Sequence, residues 1–479
     1  MSNFPTQLLI DGQWHDGSGD RRLAIVNPAT EETFAEVSSA TTDEISQAVE
    51  GAQTAFESGW RDMPPGQRAE LLRGLAKRIR DNVESIAQLE TRNVGKPIGD
   101  ARWEADAGAK VFEYYAGSIG HLCGQTIPVA RGGFNFTLRQ PMGVIAAITP
   151  WNFPFLIACW KVAPALAAGN SVVLKPASLT PLTALLLGQL AQEAGLPDGV
   201  LQVLPGAGSE AGNALATHPL VRKIGFTGST EVGSKIMKLA ADDIKRVSLE
   251  LGGKSPNIVF ADADWQRAAT ESPMSVFANT GQDCCARSRM FIEQPIFDDF
   301  VNQFVAATES LKVGDPTLDE TQLGPMVSAA QREISESFVT EARDAGCNIF
   351  TGGERQGEHG FYLNPVVITG VKTDGRAWCE EIFGPVVCLR PFTDETEMLR
   401  EVNDTNFGLT AGIVTQSLAT ASDFKKRAVS GCVMVNLPTA GTDYHVPFGG
   451  RKDSSFGPRE QGQYAREFYT TVKTVYLQA

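Results

Sequence analysis

Two adjacent thiols, Cys284 and Cys285, lie in the segment FANTGQDCCARSR, which runs from residue 277 to residue 289. They follow a Gly-Gln turn and lie close in sequence to Arg287 and Arg289. Positive charge and backbone N–H groups favour the thiolate, which is the form of cysteine that attacks a carbonyl carbon. We therefore expect a nucleophilic cysteine here, although a Cys-Cys pair taken alone is more often structural.

Two further segments place polar side chains at the ends of predicted strands. In PWNFP (150–154), Asn152 follows the strand GVIAAIT, where a fixed amide N–H would stabilise an oxyanion formed by thiolate attack. In LELGGKSPN (249–257), Glu250 ends another strand, and a carboxylate beside apolar residues gains a raised pKa and acts as a base toward water. Each has a simpler interpretation by itself, a proline-flanked turn for Asn152 and a solvated carboxylate for Glu250.

The elements that must position these residues alternate between strand and helix. Strands are predicted at 143–149, 171–175, 201–206, 221–228 and 246–253, with helices over WKVAPALAAG, 181–195 and STEVGSKIMKLAA between them. This alternation predicts a parallel sheet with helices on both faces and a ligand site at the carboxyl ends of the strands. A second block, from about 254 to 446, reads as another α/β domain. Residues 121–141 and the tail EFYTTVKTVYL have strand patterns outside both blocks, and we expect them to pair with each other or with another subunit.

Bulk composition restricts the class of protein. A chain of 479 residues exceeds what one hydrophobic core usually supports, so two or more domains are expected. With 42 Lys and Arg against 56 Asp and Glu, the formal charge of -14 argues against a nucleic acid partner. The N-terminus shows no signal peptide, and Lys161 and Pro164 interrupt the most apolar stretch, so we expect no membrane span and a cytoplasmic location. Eight cysteines without CxxC spacing argue against a disulfide scaffold and a zinc site, and no metal is predicted.

In this order and spacing, the three segments resemble signatures of the aldehyde dehydrogenase superfamily, namely PWNFP, LELGGKxP and FxNxGQxCxAxxR. The resemblance extends over essentially the whole chain, from NPATEE to VPFGGRKDSSFG. It implies an α/β fold with a Rossmann-type parallel-sheet cofactor domain, a second α/β catalytic domain and a β-strand oligomerisation arm. We assign 1–120 and 142–252 to the dinucleotide-binding domain, 253–446 to the catalytic domain, and 121–141 with 463–479 to the arm.

The catalytic roles follow from the resemblance by motif. Cys284 looks like the nucleophile and Cys285 its neighbour, while Glu250 resembles the base that activates the deacylating water. Asn152, with the backbone N–H of Cys284, resembles the oxyanion site. The implied reaction is thiolate attack on an aldehyde, hydride transfer to nicotinamide and hydrolysis of the thioester. Arg287 lies where the family often has Gly, and its role is left open.

The cofactor site is implied in the same way. The run FTGSTEVGSK (226–235) is glycine-rich and opens a helix whose N–H groups suit a diphosphate, but it matches neither GxGxxG nor GxxxxGK[ST]. In the family, Ser229 would touch the diphosphate, Lys175 the adenosine ribose, and Glu381 and Phe383 of EEIFGPV the nicotinamide ribose and ring, although EEIF also suits a plain turn. The full set of expected cofactor contacts is Thr149, Trp151, Lys175, Ser178, Gly208, Gly212, Phe226, Gly228, Ser229, Leu251, Glu381 and Phe383.

One departure from the family bears on the choice of cofactor. Where members that prefer NAD often carry Glu after KPA, this chain has Ser178. A glutamate would accept a hydrogen bond from the ribose 2'-OH and repel a 2'-phosphate, whereas Ser178 beside Lys175 admits the phosphate. We therefore predict that NADP is used, with NAD as an alternative.

Family position implies an aldehyde pocket formed by Phe153, Trp160, Asp283, Leu437 and Phe448. Most of these are apolar or aromatic, which favours a hydrophobic or aromatic aldehyde, although such residues are more often plain core. The run NLPTAGTDYHVPFGGRKDSSFGPREQG instead looks most like the α-ketoglutaric semialdehyde dehydrogenases. Those enzymes bind a carboxylated aldehyde, and here Arg287 or Arg459 would have to hold the carboxylate because Trp160 occupies the position of a clamp.

Other classes of protein remain as alternatives. A cysteine hydrolase needs the thiol but no dinucleotide site, and a CoA-acylating dehydrogenase would pass the thioester to CoA, whereas Glu250 indicates water. A non-catalytic redox-sensing protein would not need Cys284, Glu250, Asn152 and Lys175 together. The expected partners are a small-molecule aldehyde and further copies of the chain, as a homodimer or homotetramer.

Overall fold

A computed structural model describes residues 4–130, 132–437 and 443–478. Arg131 of the expected arm and residues 438–442 of the quoted C-terminal run lie outside the described residues, as do 1–3 and 479.

The strands follow the chain in this order: β1 (Leu8–Ile10), β2 (Gln13–His15), β3 (Arg22–Val26), β4 (Thr33–Ser38), β5 (Phe134–Pro141), β6 (Val144–Ile148), β7 (Ser171–Lys175), β8 (Leu201–Val203), β9 (Val221–Thr227), β10 (Arg246–Glu250), β11 (Pro256–Val259), β12 (Arg289–Glu293), β13 (Asn348–Thr351), β14 (Val366–Thr369), β15 (Val386–Phe392), β16 (Thr410–Val414), β17 (Cys432–Val435), β18 (Ser455–Phe456) and β19 (Thr470–Leu477).

The α-helices are α1 (Thr42–Ala55), α2 (Pro65–Asp81), α3 (Val83–Val94), α4 (Ile98–Ser118), α5 (Pro154–Ala167), α6 (Leu182–Glu193), α7 (Asn213–Thr217), α8 (Thr230–Ala241), α9 (Trp265–Phe277), α10 (Phe297–Glu309), α11 (Ala329–Asp344), α12 (Arg376–Cys379), α13 (Glu395–Asn403), α14 (Leu418–Arg427) and α15 (Ala465–Tyr469). Short 3₁₀ or π segments cover Phe56–Trp60, Ile119–His121, Gly208–Gly212, Ala278–Gly281, Gln294–Ile296, Lys452–Ser454 and Gly462–Tyr464.

The first sheet has the order β18-β10-β9-β6-β7-β8-β1-β2, and its centre from β10 to β8 is parallel. After β6 the chain adds β7 and β8 on one side and then returns to place β9 on the other side of β6. Open parallel sheets bind ligands at such a reversal, beyond the carboxyl ends of the strands. The strands β6 and β7 are buried along their whole length, as expected when helices cover both faces.

The second sheet has the order β13-β14-β15-β12-β11-β16-β17 and is parallel except for β13 at its edge. It confirms the prediction of another α/β layer in the second half of the chain. The C-terminal segment then returns to the first sheet, because β18 pairs with β10 in a register that puts Ser455 opposite Glu250. This return brings a distant part of the chain beside one of the candidate catalytic residues.

A separate two-stranded sheet joins β5 to β19 over eight antiparallel residue pairs. The tail EFYTTVKTVYL was predicted as strand throughout, and that is wrong for its first three residues, which belong to α15. Phe468 and Tyr469 are buried there, with the Lys223 ammonium 3.6 Å from the centroid of the Phe468 ring. Packing of these rings therefore overrides the local strand pattern. No helix among the described residues has the length and apolar character needed to cross a membrane.

Candidate active site

A cleft of about 630 Å³ opens at the carboxyl ends of β6, β7 and β9, where the first sheet reverses its order. Residues from the second half of the chain close its other side, including Gln331, Glu381 and Phe383. Every residue expected to contact the cofactor lines this cleft, and so do Asn152, Phe153 and Cys284. The structure thus brings the candidate thiol and the candidate cofactor groups into one cavity.

A tight turn at residues 279–281 precedes Cys284 in the motif. Asn279 and Thr280 adopt left-handed backbone conformations with φ of 50° and 56°. At Gly281, which has φ of 71°, a Cβ atom would collide with the carbonyl group of Gly384, so only glycine fits. The left-handed conformations of Asn279 and Thr280 store strain, which persists only when surrounding contacts hold it. Hydrogen bonds from Asn279 and to Gln282 hold this turn, and they also hold Asn152.

Asn152 is buried and fixed by the turn of the thiol segment. Its Nδ2 donates to the carbonyl oxygen of Gln282 at 3.0 Å, and Asn279 Nδ2 donates to the Asn152 carbonyl at 3.1 Å. The Gln282 side chain in turn accepts from the backbone N–H of Val327 at 2.9 Å. One amide hydrogen of Asn152 is used in this network, and the second remains to donate to an oxyanion.

The thiol of Cys284 does not receive the help from arginine that the sequence predicted. Its Sγ lies 3.9 Å from Cys285 Sγ, and this hydrogen bond lowers the pKa of Cys284. Burial and the carboxylates of Asp283, Glu381 and Glu250 outweigh that effect, so the pKa is raised. The prediction that Arg287 and Arg289 favour the thiolate is therefore wrong.

Both guanidinium groups have other partners. Arg287 Nη1 donates to Asn257 Oδ1 at 2.7 Å and Nη2 donates to the Leu437 carbonyl. Arg289 donates to the carbonyl groups of Lys254 and Val402, at 3.1 and 3.0 Å. Arg289 is the first residue of β12 and Arg287 lies two positions before it, and both side chains donate to neutral oxygen atoms of other segments.

Glu250 ends β10 and is buried beneath the C-terminal segment. Ser455 Oγ donates to Glu250 Oε2 at 2.6 Å. Burial raises the pKa of Glu250 well above its usual value, the negative charge of Glu460 adds to this, and Ser455, Lys161 and Arg459 oppose it. A buried carboxylate with a raised pKa is suited to accept a proton from water. The sequence predicted the raised pKa but not these neighbours.

A buried ion pair lies near Glu250 and was missed from the sequence. Lys161 Nζ of α5 contacts Glu460 Oε1 at 2.5 Å, and both side chains are almost completely buried. The two residues are 299 positions apart, so no local pattern could have joined them. Their charges act on the pKa of Glu250 in opposite directions.

Lys175, Ser178 and Ser229, which are expected to contact the adenosine and diphosphate parts of the cofactor, all line the cleft. Lys175 Nζ donates to the Pro176 carbonyl at 2.9 Å, and burial lowers its pKa to about 8. Ser178 Oγ donates to the Gly206 carbonyl at 2.9 Å. Ser229 caps α8 by accepting from the Val232 N–H at 3.4 Å, which leaves the first N–H groups of that helix for an anion.

Glu381 and Phe383, which are expected at the nicotinamide ribose and ring, also line the cleft. Glu381 Oε1 accepts from the Gly253 N–H at 2.8 Å, and burial raises the pKa of Glu381 to about 7. Phe383 has φ of 56° and meets Trp151 edge to face, with ring centroids 5.2 Å apart. The buried hydroxyl of Thr149 lines the same cavity without a partner among the described residues. A donor left unpaired in this way fits a polar ligand such as NAD or NADP.

The residues expected around the aldehyde are only partly assembled. Trp160 and Phe448 meet at a centroid distance of 5.3 Å, and Phe153 packs against the same core. Asp283 accepts from the Cys285 N–H at 2.8 Å, and burial raises its pKa. Leu437 is 63% exposed and lines a different cleft together with Arg287, so the structure does not bring it to the others.

Some residues that line the catalytic cleft were not singled out from the sequence. Lys235 of α8 belongs to the quoted glycine-rich run, so a signal for it existed. Gln331 and Ile334 come from α11, which carries no motif, and only the tertiary fold reveals them.

Comparison with known proteins gives consistent matches. The model of the aldehyde dehydrogenase family matches residues 14–475. Betaine aldehyde dehydrogenase 1 of Oryza sativa subsp. japonica is 42% identical over 478 residues, covering 98% of this chain and 94% of that protein. The NAD+ complex of an aldehyde dehydrogenase from Bacillus cereus is 39% identical with a TM-score of 0.97, covering 99% of this chain and 97% of that one. An NADP dependent enzyme of E. coli is 35% identical with a TM-score of 0.96, covering 99% and 98%.

Proposed function

The chain belongs to the aldehyde dehydrogenase family, and from that premise we propose that it oxidises an aldehyde to a carboxylate through a thioester on Cys284. NAD or NADP is the proposed hydride acceptor. The observation that carries the proposal is that Cys284 and Asn152 share one cleft with the cofactor groups, while Glu250 lies close enough to Cys284 for its charge to act on the thiol.

The proposed roles follow from these positions. The Cys284 thiolate adds to the carbonyl carbon, and the free amide hydrogen of Asn152, with the Cys284 N–H, stabilises the negative oxygen. When bound, the cofactor supplies the nicotinamide that accepts a hydride. Glu250 then takes a proton from the water that hydrolyses the thioester, a role that its raised pKa and burial support.

The choice of cofactor is proposed to favour NADP, with NAD as an alternative. Ser178 places no carboxylate beside Lys175, and its hydroxyl hydrogen is directed to the Gly206 carbonyl. A 2'-phosphate would meet a buried lysine rather than a repelling charge. The test is kcat/KM with each cofactor, for which we expect a higher value with NADP. Absolute specificity for NAD would contradict the proposal.

The proposed substrate is a hydrophobic or aromatic aldehyde, because the expected pocket residues Trp160 and Phe448 have aromatic faces and the two rings contact each other. A second candidate is an aldehyde with a cationic group, since the same faces attract ammonium groups and a similar protein is named betaine aldehyde dehydrogenase. A carboxylated aldehyde such as α-ketoglutaric semialdehyde has less support. Arg287 lines a different cleft from the one that holds Cys284, and Arg459 donates to the carbonyl group of Gly450.

A panel of aldehydes separates these candidates. The assay follows the formation of NADPH by its absorbance. The substrates are benzaldehyde, hexanal, an aminoaldehyde, betaine aldehyde and a semialdehyde, each tested separately with NADP. We expect the highest kcat/KM with an aromatic or aliphatic member. The absence of reduced cofactor with every aldehyde, accompanied by ester hydrolysis, would favour a cysteine hydrolase instead.

We also propose a homodimer or homotetramer formed through the sheet of β5 and β19. Two-stranded sheets are marginal by themselves, and this one exposes Phe134, Val472 and Tyr476 at 69%, 54% and 76%. The division into a cofactor domain (1–120 and 142–252), a catalytic domain (253–446) and an arm (121–141 and 463–479) is part of the same proposal. The two large sheets support it.

A further inference from the structure

A second cleft, of about 690 Å³, lies at the carboxyl ends of β16 and β17, between α9 and the end of α10. Among the described residues, none that lines it also lines the catalytic cleft. We call it the Arg287 cleft, after the charged residue in its wall.

Arg287 is 2% exposed and has no anionic partner among the described residues. Its two acceptors, the Asn257 side-chain oxygen and the Leu437 carbonyl, are both neutral. Its Nε donates to nothing in the described part of the chain. Residues 438–442, which follow Leu437, read PTAGT and contain no acidic side chain.

A buried cation without a counter-charge is costly, and one partner of opposite charge would remove that cost. Burial lowers the pKa of Arg287 to about 10, so the guanidinium still carries its charge at neutral pH. The neighbouring thiol of Cys285 supplies no compensating charge, because its pKa is raised well above the usual value. An anion from outside the chain would therefore be stabilised at this point.

The other charges of the cleft already have partners. Arg267 Nε contacts Glu271 Oε1 at 2.8 Å, and Asp264 Oδ1 accepts from the Arg267 N–H at 3.3 Å. The remaining wall is largely apolar, with Met274, Leu311 and Val414 among its residues. A ligand that fits these features combines one negative group with a small apolar body.

We propose that the Arg287 cleft binds a small organic carboxylate, with its carboxylate on the Arg287 guanidinium and its apolar body against Met274 and Leu311. Backbone packing has adapted to this arginine, because a Cβ atom at Gly412 would collide with the guanidinium. The proposal does not depend on the dehydrogenase reaction. The carboxylate is that of a free acid, because the Arg287 cleft and the cleft that holds Cys284 share no lining residue in the described part of the chain.

Two alanines of one helix provide the test. Ala307 of α10 lines the cleft, whereas Ala306 is exposed and does not. The A307W variant fills the cleft without removing Arg287, and A306W is the matched control. Hexanoate, with hexanol as the uncharged probe, would be titrated calorimetrically into the full-length enzyme and both variants. Thermal unfolding of each variant establishes that it is folded.

We expect hexanoate to bind the unmodified enzyme and A306W, to bind at least tenfold more weakly to A307W and to R287Q, and to bind more tightly than hexanol. A free acid predicts unchanged kcat/KM for both succinic semialdehyde and butanal in A307W, and a loss for succinic semialdehyde alone would contradict that source. Equal hexanoate affinity in all variants, or no binding at millimolar concentration, would overturn the proposal. Turnover of butanal is measured on the same enzyme samples. If butanal is oxidised but hexanoate does not bind, the proposal for the Arg287 cleft fails while the dehydrogenase assignment stands.

Discussion

The side-chain amide of Asn152 donates a hydrogen bond to the carbonyl oxygen of Gln282 at 3.0 Å, two residues before Cys284. This bond ties the end of the first parallel sheet to the turn that carries the thiol. It also orients the amide, so that its second hydrogen is available where negative charge would develop during thiolate attack. Asn152 therefore connects the sheet to the turn before Cys284, and it is also the proposed hydrogen-bond donor to the oxyanion.

Replacing Asn152 with alanine should lower kcat by about 100- to 1000-fold, the usual loss when an oxyanion donor is removed. The KM for NADP should change little, because the cofactor contacts remain. Steady-state kinetics with one aldehyde measures both. Asn213, which lines the cofactor part of the same cleft, provides the control, since N213A should keep most of the kcat. An N152A enzyme with unchanged kcat would remove Asn152 from the mechanism.

The pH dependence of thioester hydrolysis should report the surroundings of Glu250. The carboxylate is the active base, and burial together with Glu460 raises the pKa of Glu250. The rate should therefore fall as pH drops through a value well above that of an ordinary glutamate. Replacing Glu460 with glutamine removes a like charge, lowers this pKa and moves the acid limb to lower pH.

Deacylation rates from pH 5 to pH 9 check this shift. E467Q is the control, because Glu467 is paired with Arg139 and is not among the causes of the Glu250 shift. An acid limb that moves to higher pH in E460Q would contradict the assigned electrostatics.

Introducing glutamate at Ser178 should reverse the cofactor preference. The new carboxylate would repel a 2'-phosphate and accept from a 2'-OH, and charged hydrogen bonds of this kind contribute about 1.5–3 kcal/mol. The ratio of kcat/KM for NADP to that for NAD should thus fall about 10- to 100-fold. S178A, which adds no charge, should leave the ratio near its original value. An unchanged ratio in S178E would mean that this position does not face the ribose.

Removing the aromatic face of Trp160 should affect aromatic aldehydes most. An aromatic pair contributes about 0.5–1.5 kcal/mol beyond its buried area, so in W160A the loss of kcat/KM should be about two- to tenfold larger for benzaldehyde than for acetaldehyde. Trp103 is half exposed on α4 and provides the control variant W103A. Equal losses for both aldehydes would show that Trp160 acts only in the core.

The sequence predicts those parts of the molecule that local patterns encode. Strands were predicted at 171–175 and 246–253; β7 matches the first, and β10 covers 246–250 of the second. Sheet geometry predicted a ligand site at the carboxyl ends of the parallel strands, the family resemblance placed Thr149 and Ser229 there, and one cleft holds both.

The parts that failed depend on contacts between distant segments. Ser455 donates a hydrogen bond to Glu250, which is 205 positions away in the sequence. No periodic pattern of residues predicts a contact at that separation. Arg287 was assigned to the thiolate from its sequence distance alone, yet its side chain bonds to Asn257 and Leu437. Nearness along a chain does not fix the direction of a side chain, which explains this error.

The most direct test of the account is the mass of the trapped acyl-enzyme. In E250Q, where hydrolysis is slowed, a single turnover with aldehyde and NADP followed by acid quench should leave an acyl group on the proteolytic peptide that contains Cys284. The adduct should persist when Cys285 is also replaced by alanine and disappear when Cys284 is replaced. An acyl group that survives in the Cys284→Ala enzyme, or that requires Cys285, would contradict the assignment of Cys284 as the nucleophile.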